Sequence, residues 1–598
     1  MAEPLIIGFD FGTTNSLITR ILRNKAFPYL DEKQRPIPSV VSYEGLQVEA
    51  GASAKEKLGQ AGLGVHGNIV RSPKAYLGDE NIYFEGTQKR TVDVVSDLVR
   101  HVLNEAIEHP NDFPIEDLAG AVVTIPVDMQ GYRRVALREA FAQANLRIIQ
   151  FVHEPLAALY GHFRNQDNIA KISRTYDNQM ILVFDWGGGT LDLTLVRLKN
   201  GFLTQIMNDG TEEVGGDIFD ETIQRALIQR VMEERGIDNS VQINEFARKR
   251  LLHACETAKI TLSERETTTI YVQDFFEDLD DPDFDVQLTT KDLEEIVEPL
   301  IEKGLARIKN VLKNAHLESE QIALCLATGG MANMPMIKRR LYEWFSADRV
   351  HVPKGTGTLI SEGAAWIAED RRNLRLAKNV ELAMARGSHL TIIPAETQMP
   401  YEGNSFGSLL EKPRHLYCTD PRDGTATVEI ESPVKPGRSV MPNAPRTSLA
   451  TMTVEVDEKA KQFQERLELY TAIDHNLILH SRVVSLNKGS EDHAEIHNLE
   501  FGLKLVGDDS EDQLEDEDSS IQSQNTDQSS QITVRSNISV TKDSSLLPGD
   551  YLYSINPRLA HRDEGATKLQ VEESLYYKPC SLCGLKINDP ACQCGSRI

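Results

Sequence analysis

Two apolar periods run along this chain, and the change from one to the other divides it. Up to about residue 376, short β-branched and aliphatic runs are separated by amphipathic stretches. Ile6–Asp10, Ala121–Ile125, Met180–Asp185 and Ala323–Thr328 have the length and bounding signals of buried strands. Between the first two, Val95, Leu98, Val99, Val102, Leu103 and Ala106 recur at steps of three and four, which predicts a helix. Strands alternating with helices indicate an α/β fold over residues 1–376. From 386 to 506 the period shortens to two, with Met452, Val454 and Val456, then Leu499, Phe501, Leu503 and Leu505, and turn residues such as Asp423-Gly424 between runs. That predicts an antiparallel β domain. Residues 377–385 are the expected linker, with Val380 and Leu382 as its apolar positions. Residues 507–530 have the acid, Ser and Gln composition of a disordered linker. The last part, 531–598, opens with another alternating run (Ile532, Val534, Ile538, Val540) and ends in a small cysteine-rich module.

One device occurs twice, about 175 residues apart: Phe9-Asp10-Phe11-Gly12-Thr13-Thr14 and Phe184-Asp185-Trp186-Gly187-Gly188-Gly189-Thr190. Each is an apolar strand that delivers an Asp, then glycine, then hydroxyls. Glycines in a hairpin turn expose a row of backbone N–H groups with no Cβ in the way, and such a row cradles phosphate oxygens. Thr13, Thr14 and Thr190 add hydroxyl donors, and Asp10 and Asp185 can hold a hydrated Mg²⁺. Two ordinary Asp-Gly hairpins are the bland alternative. The repetition favours two related lobes that clamp a polyphosphate from both sides. No Gly-x-x-x-x-Gly-Lys-Ser/Thr occurs, so this is not a P-loop. Gly62-Leu63-Gly64-Val65-His66-Gly67 spells a dinucleotide fingerprint, but a charged segment precedes it and Pro73 follows, so it reads as a loop.

Charge narrows the partners. The formal net charge is −26, and residues 508–518 alone hold eight acids and no base. Such acidity argues against nucleic acid and anionic membranes as partners. No window approaches eighteen consecutive apolar residues, and the amino terminus lacks a basic region or cleavage site, so neither a membrane span nor secretion is expected. Cys255, Cys325 and Cys418 are scattered as reduced, buried thiols would be, and the cytoplasm is the expected compartment.

The segments IGFDFGTTNS, VTIPVDMQGYRR, FVHEPLAALYG, LVFDWGGGTLDLTLV, VGGDIFDETI, CETAKITLS and LATGGMANMP resemble, in order and spacing, the seventy-kilodalton heat-shock (DnaK-type) chaperones over residues 5–370. The resemblance implies a two-lobed, actin-like (ribonuclease-H-like) ATPase. Asp10 and Asp185 would organise Mg²⁺ and its waters, and Gly12, Thr13, Thr14, Gly187, Gly188, Gly189 and Thr190 would wrap the phosphates of ATP. Glu154 would sit beside the attacking water, and Lys74 matches the family's catalytic lysine. Glu256, Lys259 and Ser263, at helical spacing, match adenosine contacts, with Gly215-Gly216 and Gly329-Gly330 completing the pocket. Pro126 and Arg134 fall where the family relays the nucleotide state outward. Two positions depart from it: Asn333 replaces an Arg that would stack on adenine, and Gly357 replaces an acid.

Downstream, Ala472–His480 is similar to a strand–turn–strand of the chaperones' peptide-binding domain, with Leu477 where the family usually has Gly. The family's helical lid is not visible; acid linker and strands take its place. Cys580, Cys583, Cys592 and Cys594, each pair followed by Gly, suit a structural zinc site, a redox dithiol pair being the alternative. The expected function is ATP binding and slow hydrolysis controlling the capture of protein segments. A J-domain co-chaperone and a nucleotide exchange factor are the partners such a machine would have. An ATP-gated scaffold for one dedicated partner, or a small-molecule kinase, are the competing readings.

Overall fold

A computed structural model describes residues 4–505, apart from 64–67, 85–86, 109–117, 167, 278, 385–387, 402–412, 419–420 and 462–463, together with the strand Leu552–Ile555. The first lobe is built on β1 (Leu5–Phe11), β2 (Asn15–Leu22), β3 (Lys25–Pro28), β4 (Leu118–Ile125) and β5 (Ile148–His153), in the order β5-β4-β1-β2-β3. The second is built on β6 (Gln179–Trp186), β7 (Leu191–Lys199), β8 (Phe202–Thr211), β9 (Ile322–Thr328) and β10 (Val350–His351), in the order β10-β9-β6-β7-β8. In both sheets the central strand pairs parallel on one side and antiparallel on the other. The repeated hairpin is therefore one copy of a repeated five-strand order. This is the two-lobed, actin-like arrangement.

Helices cover these sheets because their apolar stripes need a partner. The helix Thr91–Glu108 buries Val95, Leu98, Val99, Val102, Leu103 and Ala106, as its spacing predicts. Helices Glu154–Arg164 and Leu359–Glu369 cross so closely that a Cβ at Gly363 would come within 1.8 Å of the Ala157 carbonyl. That contact seats the amino end of the first helix, and with it Glu154, at the cleft. The segment before residues 64–67 is the helix Ala52–Leu58, not a strand, so no dinucleotide-binding unit forms there; the rest of that glycine motif lies outside the described residues.

The β region holds two sheets. One runs β13 (His389–Ile393), β12 (Val380–Ala383), β15 (Thr425–Pro433), β16 (Arg446–Glu455), where β11 is the short strand Arg375–Leu376 and β14 is Arg414–Cys418. The other joins β17 (Glu465–Ile473), β18 (Leu479–Ser485) and β19 (Glu491–Ile496) to β14, in the order β19-β18-β17-β14. Its far edge is the strand Leu552–Ile555, which pairs parallel with β14, so part of the 531–598 region joins this sheet. The acidic run and the four terminal cysteines lie outside the described residues.

Two expectations need correction. Residues 377–385 are not a free linker: Val380–Ala383 is fully buried and pairs with both β13 and β15. The alternating run Leu499–Leu505 also leaves the β region, while that of Ile532–Val540 lies outside the described residues. β20 (Phe501–Lys504) pairs antiparallel with β8 through Phe202, Leu203 and Thr204, and β11 pairs with β20 in turn. A period of two specifies a strand with one apolar face; it does not specify which sheet takes that strand.

Candidate functional site

The two hairpins meet in the cleft. A Cβ on Gly188 would fall 1.7 Å from Thr14 Oγ1, and one on Gly189 would fall 2.3 Å from Thr13 Oγ1. Only glycine allows this approach. Gly215-Gly216 opens the helix Gly216–Arg235 against the second hairpin: the Gly216 amide donates to Gly187 O at 3.1 Å and the Asp217 amide to Gly188 O at 2.7 Å. Gly329 has φ 82 and rests on the Trp186 carbonyl, while Gly330 faces open space.

The lobes treat their aspartates alike. Asp10 is the penultimate residue of β1 and accepts from Thr124 Oγ1 at 2.8 Å; Asp185 is the penultimate residue of β6 and accepts from Thr328 Oγ1 at 3.3 Å. In each case the threonine is the register partner on the adjacent parallel strand. Neither threonine is flagged by the sequence reasoning, because both pairs are made across more than a hundred residues.

Glu154 begins its helix and accepts from Lys74 Nζ at 2.7 Å, with both side chains buried. Thr190 Oγ1 donates to Asp192 Oδ2 at 2.6 Å, and Asp192 Oδ1 accepts from the Val127 amide at 3.0 Å, next to Pro126. Asp192 is a residue that sequence reasoning misses. Its signal was the Thr190-Leu191-Asp192 alternation, which puts acid and hydroxyl on one face of a strand. Burial pushes the Asp10 and Asp192 carboxyls up to about 7, with the Glu154 charge the next cause; Lys74 opposes both. Asp185 is raised well above its ordinary value by burial, then by Glu154, Asp192 and Asp10. Four carboxyl groups share one ammonium, so their full ionisation would leave an excess of buried negative charge that a divalent cation fits.

Two cavities flank the meeting hairpins. One of about 380 Å³ is lined by Lys74, Thr190 and Asp192, and one of about 620 Å³ by Glu256, Lys259, Ser263, Gly330 and Met331. Both are of ligand size. Lys259 Nζ donates to Gly216 O at 2.8 Å and pairs with Asp220 at 2.7 Å; Lys55 pairs with Glu256 at 2.8 Å. Ser263 lies two residues beyond the end of the helix Glu245–Thr261, not within it, yet still lines the same cavity. Arg71 also escapes sequence reasoning: its Nη2 reaches Asp217 at 2.7 Å and Asp220 at 2.9 Å across the cleft. Asn333 donates to Thr356 Oγ1 at 2.9 Å, away from any stacking role.

Arg134 is wholly buried and ties the first lobe to the β region. Its Nη1 donates to the Asn476 and Leu477 carbonyls at 3.2 and 3.3 Å, and its Nη2 to the His497 carbonyl at 3.0 Å. Leu477 has φ 60, the left-handed conformation that glycine adopts without strain. Between the lobes, Gln205 Oε1 accepts from the Phe501 amide at 2.9 Å and from His153 Nδ1 at 3.2 Å. His153 precedes Glu154, and burial pushes its imidazole down to about 3, so it is neutral.

The chain is similar in sequence to known proteins. A DnaK chaperone protein of Mycoplasma mobile is 29% identical over 344 residues, covering 57% of this chain and 54% of that protein. A chaperone protein HscA homolog of Haemophilus influenzae is 26% identical over 364 residues, with the same shares. The chain thus spans about half the length of the curated relatives it matches. The sequence model of the Hsp70 protein family matches residues 80–545, well over half of the chain, and the chain therefore belongs to the Hsp70 protein family.

Proposed function

We propose that this chain is an ATP-dependent chaperone of the seventy-kilodalton heat-shock type, binding and slowly hydrolysing ATP in the cleft to control the capture of protein segments. The observation that carries this reading is the pair of interlocked glycine–threonine hairpins inside a ring of Asp10, Glu154, Asp185, Asp192 and Lys74. The hairpin amides and the hydroxyls of Thr13, Thr14 and Thr190 would hold the phosphate chain. Asp10 and Asp185 would hold Mg²⁺ through its waters, and the bound ion would neutralise charge on the phosphoryl oxygens. Glu154 orients a water for in-line attack, and Lys74 Nζ holds Glu154 while facing the transferred group. Asp192 fixes the Thr190 hydroxyl. Glu256, Lys259 and Ser263 would contact the adenosine.

The Arg134 and β20 contacts between the lobes and the β region support a nucleotide-dependent change in client affinity. DnaK and HscA, named as chaperones, support protein clients; a J-domain co-chaperone, an exchange factor and a cytoplasmic setting belong to the same proposal. Among the described residues, no helix is long and apolar enough to cross a membrane. The terminal cysteines are assigned to structural zinc, which elemental analysis of protein purified under reducing conditions tests.

Client-aggregation assays run with ATP and with ADP test the function. Suppression that depends on nucleotide and is lost in Asp10→Asn supports it. Indifference to unfolded clients, together with nucleotide-dependent recovery of a single protein, would assign the chain to the scaffold class instead.

A further inference from the structure

Away from the cleft, the β12 sheet carries a polar cluster in its interior. Glu381 on β12 stands opposite Glu431 on β15 in the antiparallel register, and His389 opens β13 opposite Ala383. These positions share one face of the sheet, since directly paired residues point the same way. Glu381 and Glu431 are 3% and 7% exposed, and His389 is largely covered. One ligand atom from each of the three lies within 4.8 Å of the others.

Two carboxylates facing each other across neighbouring strands repel, more so when withdrawn from water. Arg446 Nε donates to Glu381 Oε2 at 3.1 Å and Asn379 Nδ2 to Oε1 at 3.1 Å, so Glu381 is neutralised. Glu431 contacts His389 Nδ1. The ligand atoms of all three side chains thus converge on one space between the strands.

We propose that Glu381, His389 and Glu431 form a binding site for a divalent first-row transition ion of the zinc type, with water as the fourth ligand. One imidazole and two carboxylates suit such an ion, whereas Mg²⁺ and Ca²⁺ prefer all-oxygen shells. The three ligands stand on three hydrogen-bonded strands, so little ordering is needed on binding. Ligation through His389 Nδ1 needs the neutral imidazole with its proton on Nε2. The ion cross-links the strand that leaves the ATPase lobes to both of its neighbours. This site does not depend on the chaperone reading.

The test uses the full chain with Cys580, Cys583, Cys592 and Cys594 replaced by Ser, so that those thiols do not compete. Co²⁺ is titrated in excess Mg²⁺ and followed by its visible d–d absorption. The expected result is one Co²⁺ per chain, displaced by Zn²⁺, with affinity weakened at least tenfold by Glu431→Gln and by the more exposed His389→Gln, and unchanged by Asp10→Asn. Retained circular dichroism separates lost ligation from lost folding. No Co²⁺ binding by the parent, or affinity equal to the parent's in both ligand variants, would overturn the site and leave His389 and Glu431 as a hydrogen-bonded pair.

Discussion

Lys74 Nζ donates to Glu154 Oε1 at 2.7 Å inside the cleft, and the two side chains come from segments eighty residues apart in the sequence. Their pairing holds the carboxylate where a water can be oriented. Lys74→Ala should therefore lower single-turnover ATP hydrolysis at least tenfold, a loss of about 1.4 kcal/mol or more of transition-state stabilisation. Thr190→Ala and Asp10→Asn should do the same while leaving nucleotide binding within a few-fold. Unchanged hydrolysis in all three would dismiss the assignment of these hairpins.

The raised carboxyls make stability depend on pH in an unusual direction. A carboxyl lifted from its ordinary 3.8 to about 7, as Asp10 and Asp192 are, is held protonated by the folded cleft. Its contribution is full below the unfolded value and is lost as pH rises through about 7. Metal- and nucleotide-free protein should lose stability over that window, and Asp192→Asn should flatten the loss while abolishing most hydrolysis. Thermal melts at about pH 5.5 and about pH 8 check this, with Mg²⁺ and ADP expected to stabilise more at the higher pH.

Asn333 spends its amide on Thr356, leaving the proposed adenosine cavity without a guanidinium at that position. Asn333→Arg should tighten ATP binding by roughly 0.5–2 kcal/mol if the new side chain covers the base. Calorimetry decides it. No gain would mean that apolar neighbours such as Met331 already cover that face.

Arg134, itself buried, donates to three carbonyls of the β region. Hydrogen bonds from a charged donor contribute about 1.5–3 kcal/mol each when a buried partner would otherwise be stranded. Arg134→Ala should loosen the β region from the first lobe, seen as a larger radius of gyration and faster proteolysis in ATP. Proteolysis identical to wild type would show that the Arg138 bonds to the same turn and the β20 pairing suffice to hold the two together.

The lobes and their aspartates were legible because each strand carries its own pattern: an apolar run, an acid, then glycine. Thr124 and Thr328 were not, since only parallel pairing of distant strands brings them to those acids. The partner of Phe501–Lys504 was hidden for the same reason, as alternation at Phe501 and Leu503 fits any sheet with one covered face. Val380 and Leu382 were visible as apolar but read as a linker, because four residues are too few to declare a strand without knowing their neighbours. Leu477 went the other way. Its place in a turn that favours glycine was legible from the resemblance alone, and its φ of 60 supplies the reason.

The positions of β11 and β20 have a mechanical consequence. Arg375–Leu376 leads into the β region and Phe501–Lys504 leads out of it, and the two are adjacent strands at one edge of the second lobe's sheet. The stretch between them, residues 377–500, thus has its entrance and exit stitched to the same seam. A module hung on one strand can pivot about a single point. For this one to swing clear with its seam, the Phe202, Leu203 and Thr204 pairings and the Phe501 amide bond to Gln205 must break along with the Arg134 contacts on the other lobe. Release on that side is then a peeling event along one strand, beside His153.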